Sequence, residues 1–275
     1  MPKLSLVDET FDSNLTFEYK LSIQISLDGF SFSILDTIQN KVVYLFHQEL
    51  FDSKPEFILK HLNRIYEECD LLHLHYKRTK VLLANSSKIQ LMPTDFFDDK
   101  NIKNYQQLAF DQIDDYHSEC FELNHSSQKL IVSTPMHIRL FLHQKHPDAF
   151  FDSNISQWEK LLVGQKQSAF AHISKKEVAI LLVDDNGQYS FNSFPWYAES
   201  DLLFFILGSI KTHATRVDSL LLGGIVNRFS YIYHQLKSFV RKVELAKRPD
   251  ELYYSYLLDK LPDARFIDLW ELLKD

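Results

Sequence analysis

KLSIQISLDGFSFSILDTIQNKVVYLF, residues 20–46, decides the fold. Leu21, Ile23 and Ile25 alternate with Ser22, Gln24 and Ser26, the period of two that marks a half-buried strand. Asp28-Gly29 is a hairpin signal, because glycine tolerates the positive φ of a tight turn. Phe30, Phe32 and Ile34 alternate on the way back, Gln39-Asn40-Lys41 turns the chain again, and Val42–Phe46 gives a third strand. Ser53-Lys54-Pro55-Glu56 then opens a helix: Ser with Glu three residues on is a capping box, and Pro suits the first turn. Phe57, Ile58, Leu62, Ile65, Tyr66 and Cys69 share its apolar face, and Val81–Ala84 is the next strand. The order is β-β-β-α-β.

A second copy of that order follows about 148 residues later. Ala169–Ile173 and Val178–Val183 read as strands, Asp184-Asp185-Asn186-Gly187 as a turn, and Tyr189, Phe191 and Ser193 as the third strand. Ser200-Asp201 caps an apolar helix over Leu202–Ile210, and Ser219–Leu222 is a buried strand ending in Gly223-Gly224. The offset sets Asp36 on Asp184, Phe46 on Phe194 and Phe57 on Phe205. The expectation is a duplicated domain of class α/β with mixed sheets, an N-terminal lobe over residues 1–163 and a C-terminal lobe over 164–275.

Composition narrows the function. With 275 residues, 45% of them hydrophobic, the chain builds an ample core. A net charge of −7 argues against a general nucleic-acid binder, and no apolar run is long enough to span a bilayer. Met1–Phe17 is acidic and polar, unlike a signal peptide. Two cysteines, Cys69 and Cys120, form no disulfide or metal spacing, so free thiols in a reducing cytoplasm are expected.

Between and after the copies the signals are weaker. Met1–Thr16 reads as an arm or edge strand. His73 and His75 would share a face if their segment is a strand, and could then hold a metal, but no third ligand stands at a recognisable spacing. Val81–Pro93 reads as strand, turn, strand, and Thr94–Phe110 as a loop and short helix. Asp111–Asp115 is an acidic connector, Glu119–Leu123 with Lys129–Ser133 a hairpin, and Met136–Lys145 a helix. Asp148–Gly164 is weakly amphipathic. Asn227 caps a helix expected to run to about Val243, on which Lys237, Arg241 and Lys242 form a basic run with Lys247 and Arg248 beyond. Phe266–Leu273 is expected to pack on the second copy.

Two β-β-β-α-β halves resemble the ribonuclease-H-like duplication of actin, sugar kinases and the large heat-shock chaperones. On SLVDETFD (5–12), LSIQISLDGFSFSILD (21–36), NKVVYL (40–45) and LLLGGIV (220–226), the whole chain is similar to a bacterial family of unknown function with an actin-like ATPase fold. More distantly it resembles actin-like scaffold components of pilus and secretion platforms. The resemblance implies a nucleotide cleft between lobes, lined in each half by an Asp-x-Gly loop with small hydroxyl residues, the Asp organising Mg²⁺ and the Gly admitting phosphate. Here the candidates are Asp28, Gly29, Gly223 and Gly224. Leu27 holds the metal-organising place, Asp28 is displaced by one, and Phe30 stands where a small residue is wanted. The second loop, Ala171–Lys176, has neither Asp nor Gly. Phosphoryl transfer rests on positioning and charge neutralisation, so an efficient ATPase is not expected, and no cofactor is predicted.

No P-loop, GxGxxG, GxSxG or CxxC is present, and Ser118, Glu119, Cys120 and His125 are neighbours in sequence without a catalytic signature. Two functions follow as expectations. One is a non-catalytic scaffold or pseudo-ATPase that binds a protein partner, consistent with 22 Phe and 13 Tyr. The other is a regulator that closes on ATP or a similar ligand without efficient hydrolysis, motivated by Gly223-Gly224.

Overall fold

A computed structural model describes residues 3–26, 29–50, 55–84, 88–110, 114–212 and 217–274, apart from the side chains of Pro55 and Glu56. In chain order, β1 (Lys3–Val7) precedes β2 (Tyr19–Ser26), β3 (Gly29–Asp36) and β4 (Lys41–Glu49), and α1 (Pro55–Glu68) leads to β5 (Arg78–Ala84). An excursion follows, with β6 (Ile89–Pro93), α2 (Ile102–Ala109), β7 (Tyr116–Glu122) and β8 (Gln128–Pro135). α3 (Met136–Lys145) returns to β9 (Phe150–Ser153), followed by α4 (Asn154–Leu161). Then come β10 (Ser168–Ile173), β11 (Glu177–Val183), β12 (Tyr189–Pro195), α5 (Glu199–Thr212), β13 (Ser219–Gly224), α6 (Tyr231–Leu236) and β14 (Lys242–Leu245). β15 (Tyr253–Tyr254) and α7 (Ile267–Leu273) follow.

The first sheet runs β1-β4-β3-β2-β5-β9 with β15 beside β4, and the second runs β12-β11-β10-β13-β14. Within each, the meander strands pair antiparallel and the later two pair parallel: β2 with β5 and β5 with β9, then β10 with β13 and β13 with β14. Over five strands the two sheets therefore share one order and one set of pairing senses, with β1 and β15 added beside β4 in the first. The expected offset holds for the meanders, since β3 and β11 begin at residues 29 and 177, β4 and β12 at 41 and 189. It shortens afterwards, α1 and α5 beginning at 55 and 199, β5 and β13 at 78 and 219. Asp36 and Asp184 play one role: each accepts from two backbone N–H groups of its turn, Ile38 and Gln39 at 2.8 and 3.1 Å, Asn186 and Gln188 at 2.8 and 2.7 Å.

Each sheet has a core on both faces. α1 and α3 cover one face of the first, where Ile58, Leu62, Ile65 and Tyr66 meet Leu21, Ile23, Phe30 and Phe32. α5 and α6 cover one face of the second, and α4 with the β6-β8-β7 sheet packs on the other. The expected half-buried hairpin is instead buried on both sides, Ser22, Ser31 and Ser33 included. Its polar face is satisfied internally, Ser22 Oγ to Ser33 Oγ at 2.7 Å and Ser31 Oγ to His47 Nδ1 at 2.8 Å. The cover is α7, buried at every position as a helix between two sheets must be. Leu269, Trp270 and Leu273 face the first sheet while Ile267 enters the core of the second.

Several expectations change. The last helix, expected on the second copy alone, packs chiefly on β2, β3 and β5 of the first sheet and on α4, while Ile267 reaches the second sheet's core. The helix from Asn227 is only α6; Val243 belongs to β14, where it is buried beside Leu220 as the sheet's fifth strand, while Phe229 and Phe239 are exposed. The Asp148–Gly164 stretch contains β9, the edge strand of the first sheet beside β5. β5 and β6 enter different sheets. Phe57 is exposed and leaves the buried face, while Cys69 lies just beyond α1 and packs against the same core. The 70–73 segment is a 3-10 turn, which removes the strand on which His73 and His75 would share a face. Ser53, Lys54 and Asp28 lie outside the described residues. Among the described residues no helix is long and apolar enough to cross a membrane.

Candidate interlobe site

The C-terminal ends of β2 and β10, the start of β3 and the end of β13 converge between the two sheets. Gly29 sits close against β4: a Cβ there would stand 2.5 Å from the Gln48 carbonyl oxygen. At Gly223 a Cβ would stand 2.6 Å from the Phe170 ring, and at Gly224, with φ of 87°, it would stand 2.0 Å from the Ile173 carbonyl oxygen. That carbonyl accepts the Ile225 N–H at 2.8 Å. Close packing between β13 and β10 thus requires the glycine pair.

Side chains fill the space these ends enclose. Phe266 is buried and its ring lies 5.4 Å from the His47 ring, edge to face. Lys175, on the β10–β11 turn, reaches across to Glu49 at the end of β4, Nζ to Oε1 at 2.5 Å. That bond holds the Glu49 carboxyl below its ordinary range, against the opposing effect of partial burial. Burial, reinforced by the Arg265 charge, lowers His47 to about 4, so at neutral pH the imidazole is uncharged. A cavity of about 50 Å³ is left between Ser31, His47, Lys175, Gly224, Arg265 and Phe266.

Beneath it lies a buried polar junction. Asp268 of α7 accepts from Trp158 Nε1 of α4 at 2.7 Å and from Gln24 Nε2 of β2 at 3.1 Å, and His172 Nε2 of β10 stands 3.7 Å away. The His172 ring stacks on Trp158 at 5.5 Å. One carboxylate of the last helix therefore joins both sheets. Sequence reading missed Asp268, Gln24 and His47; the one available signal was the run of polar residues on a single face of the hairpin.

The arrangement does not fit a magnesium triphosphate. The cavity is far below the ~300–1,000 Å³ of small-molecule sites, Glu49 and Asp268 are engaged by protein donors, and among the described residues no three His, Cys, Asp or Glu side chains are grouped for a metal. Other sequence candidates separate in space or are engaged. Ser118 Oγ bonds Ser133 Oγ at 2.7 Å, burial pushes the Cys120 thiol up, and His125 is held through its backbone N–H by Glu159 at 2.7 Å. His73 donates through Nε2 to the Tyr66 carbonyl at 2.7 Å. In the acidic connector, Asp111 lies outside the described residues and Asp114 stands 3.6 Å from Lys103. Arg248 of the basic run donates to the Leu258 and Leu261 carbonyls at 2.5 and 2.8 Å.

Two mixed sheets that share a five-strand order and enclose a site between them define the actin-like ATPase fold, and this chain has it. It belongs to the family described as Protein of unknown function (DUF3822), matched over residues 8–243. It is similar to a protein of actin-like ATPase fold and unknown function from Bacteroides thetaiotaomicron, with 22% identity and a TM-score of 0.79, covering 96% of this chain and 98% of that one. It is also similar in fold to a chain of a PilM–PilN type IV pilus biogenesis complex, with 10% identity and a TM-score of 0.62, covering 92% and 97%. No curated protein matches.

Proposed function

We propose that this protein is a non-catalytic actin-like scaffold, a pseudo-ATPase that binds a protein partner, built by internal duplication from lobes spanning residues 1–163 and 164–275, with the stretch after Ala246 crossing back onto the first sheet. The observation that carries the reading is the filled interlobe site: about 50 Å³ remains, and Lys175 bonds Glu49 across it. Partner binding is supported by Tyr197, Phe204, Phe229, Tyr231 and Phe239, all more than half exposed and all lying between β12 and β14. The PilM chain of like fold is found in a complex with PilN, a use of the fold extended here to this chain.

The nucleotide-closing reading rested on Gly223-Gly224, and the close approach of β13 to β10 already accounts for that pair. The test is a turnover assay with ATP and Mg²⁺, paired with a thermal-shift screen at millimolar nucleotide. The scaffold reading expects background hydrolysis and no nucleotide-dependent rise in Tm. Robust Mg²⁺-dependent hydrolysis that disappears in Asp28→Ala overturns it.

A further inference from the structure

A second hollow lies away from the cleft. It has a volume of about 600 Å³ and is formed by the 73–79 entry into β5 and the 145–150 connection from α3 to β9. β5 runs from Arg78 to Ala84, and Ala84 pairs with Ser26 at the cleft. Seven residues of strand place the hollow about 20 Å from the cleft, at the opposite end of the first sheet.

Its lining is basic in a chain of net charge −7. Lys77, Arg78 and Lys145 line it, with Asp148 the one opposing carboxylate, and His73 and His75, the pair left unexplained by the sequence, stand at its wall. Lys77 is shared with Glu18, Nζ to Oε2 at 3.3 Å. Lys145 lies 5.8 Å from the centroids of Tyr66 and Phe141, with no carboxylate in ion-pair range among the described residues. The Arg78 guanidinium lies 4.6 Å over the Phe150 ring, which orients its planar fork. Phe150, Leu74 and Pro147 supply apolar surface.

The wall is fixed before any ligand arrives. Tyr66 bonds His146 Nε2 through its hydroxyl at 2.8 Å, and its carbonyl accepts from His73 at 2.7 Å, so α1 locks both segments that frame the hollow. With Nε2–H committed, His73 offers Nδ1 as its remaining polar atom.

We propose that this hollow binds a phosphate-bearing small molecule with an apolar body, its phosphate held by Arg78 and Lys145 and its body against Phe150. Arginine supplies the planar fork that matches phosphate oxygens, lysine a point charge, and the volume is that of small-molecule sites. A metal site does not fit, because among the described residues no such ligand group exists there.

The test is titration calorimetry of the full chain with phenyl phosphate, inorganic phosphate and phenol as probes. Saturable binding of phenyl phosphate is expected, tighter than either fragment, and weakened tenfold or more by Lys145→Gln and by Arg78→Gln. Lys145 is exposed, so its variant keeps the test valid if the Arg78 variant does not fold. Lys175→Gln in the cleft should leave binding unchanged. The proposal is overturned by no saturable binding, by phenol binding as tightly as phenyl phosphate, by full affinity in Lys145→Gln, or by loss in Lys175→Gln, which would move the ligand to the cleft.

Discussion

Replacing Asp268 with alanine removes the acceptor that ties the C-terminal helix to both sheets. Two donors lose their partner, the Trp158 indole N–H and the Gln24 amide, and both residues are buried. A hydrogen bond to a charged group contributes about 1.5–3 kcal/mol, and a buried donor left unpaired costs about as much, so Asp268→Ala should destabilise the protein by roughly 3–5 kcal/mol. At about 2–4 °C per kcal/mol for a large domain, the Tm should fall by about 10 °C. Urea unfolding followed by tryptophan fluorescence and by far-UV circular dichroism measures this directly. Trp158→Phe then completes a double-mutant cycle. It removes the donor while the ring-size change is common to both backgrounds, so it should cost at least about 1 kcal/mol less in Asp268→Ala than in the native protein. Additivity within about 0.5 kcal/mol, or a single-variant loss below about 1 kcal/mol, would refute the claim that this carboxylate is an energetic junction.

Gly224→Ala should destabilise by about 3 kcal/mol or more, since the new Cβ meets the Ile173 carbonyl in a left-handed backbone; equilibrium unfolding reads it. Gly208→Ala, inside α5 with open space at its Cβ position, should stabilise by about 0.5–1 kcal/mol in the same assay, and a loss would contradict the placement of that residue. Burial lowers His47 and His146 to about 4 each, from an ordinary value of 6.5. Unfolding therefore takes up protons below about pH 6.5, and stability present at neutral pH is lost as pH falls toward 4, by about 4 kcal/mol for the pair between pH 7 and 5. His47→Gln should flatten roughly half of that slope, and an unchanged slope would count against the burial argument. Lys175→Gln should alter stability by less than about 1 kcal/mol, because the lysine is exposed. The same change should speed amide exchange in the β10–β11 turn if the ion pair holds the cleft closed.

Much of the architecture is legible in local pattern. Alternation in Leu21–Ile25 and Phe30–Ile34, the apolar run Val178–Val183 and the turns at Asp36 and Asp184 announce two matching meanders, each followed by a helix and a parallel strand. These features depend on contacts only a few residues apart. The four-residue β9 carries too short a pattern to register, and the split of Asn227–Val243 into α6 and β14 answers to the second sheet's demand for a fifth strand beside β13.

The interlobe site was less legible still. Loop chemistry alone pointed to Asp28, Gly29, Gly223 and Gly224, while Asp268, which joins the two sheets, lies 244 residues from its partner Gln24 and leaves no local trace. Sequence by itself determined which side of each strand a residue faces, because backbone pleating alternates side chains whatever surrounds them. Only the tertiary structure decided what that face meets: the serines and glutamine of the first hairpin read as one side of a half-buried strand, and α7 covered them, with Ser22 bonded to Ser33 and Gln24 to Asp268. Side is a property of the local backbone; cover is supplied by a distant segment, and that difference in range separates what was readable from what was not.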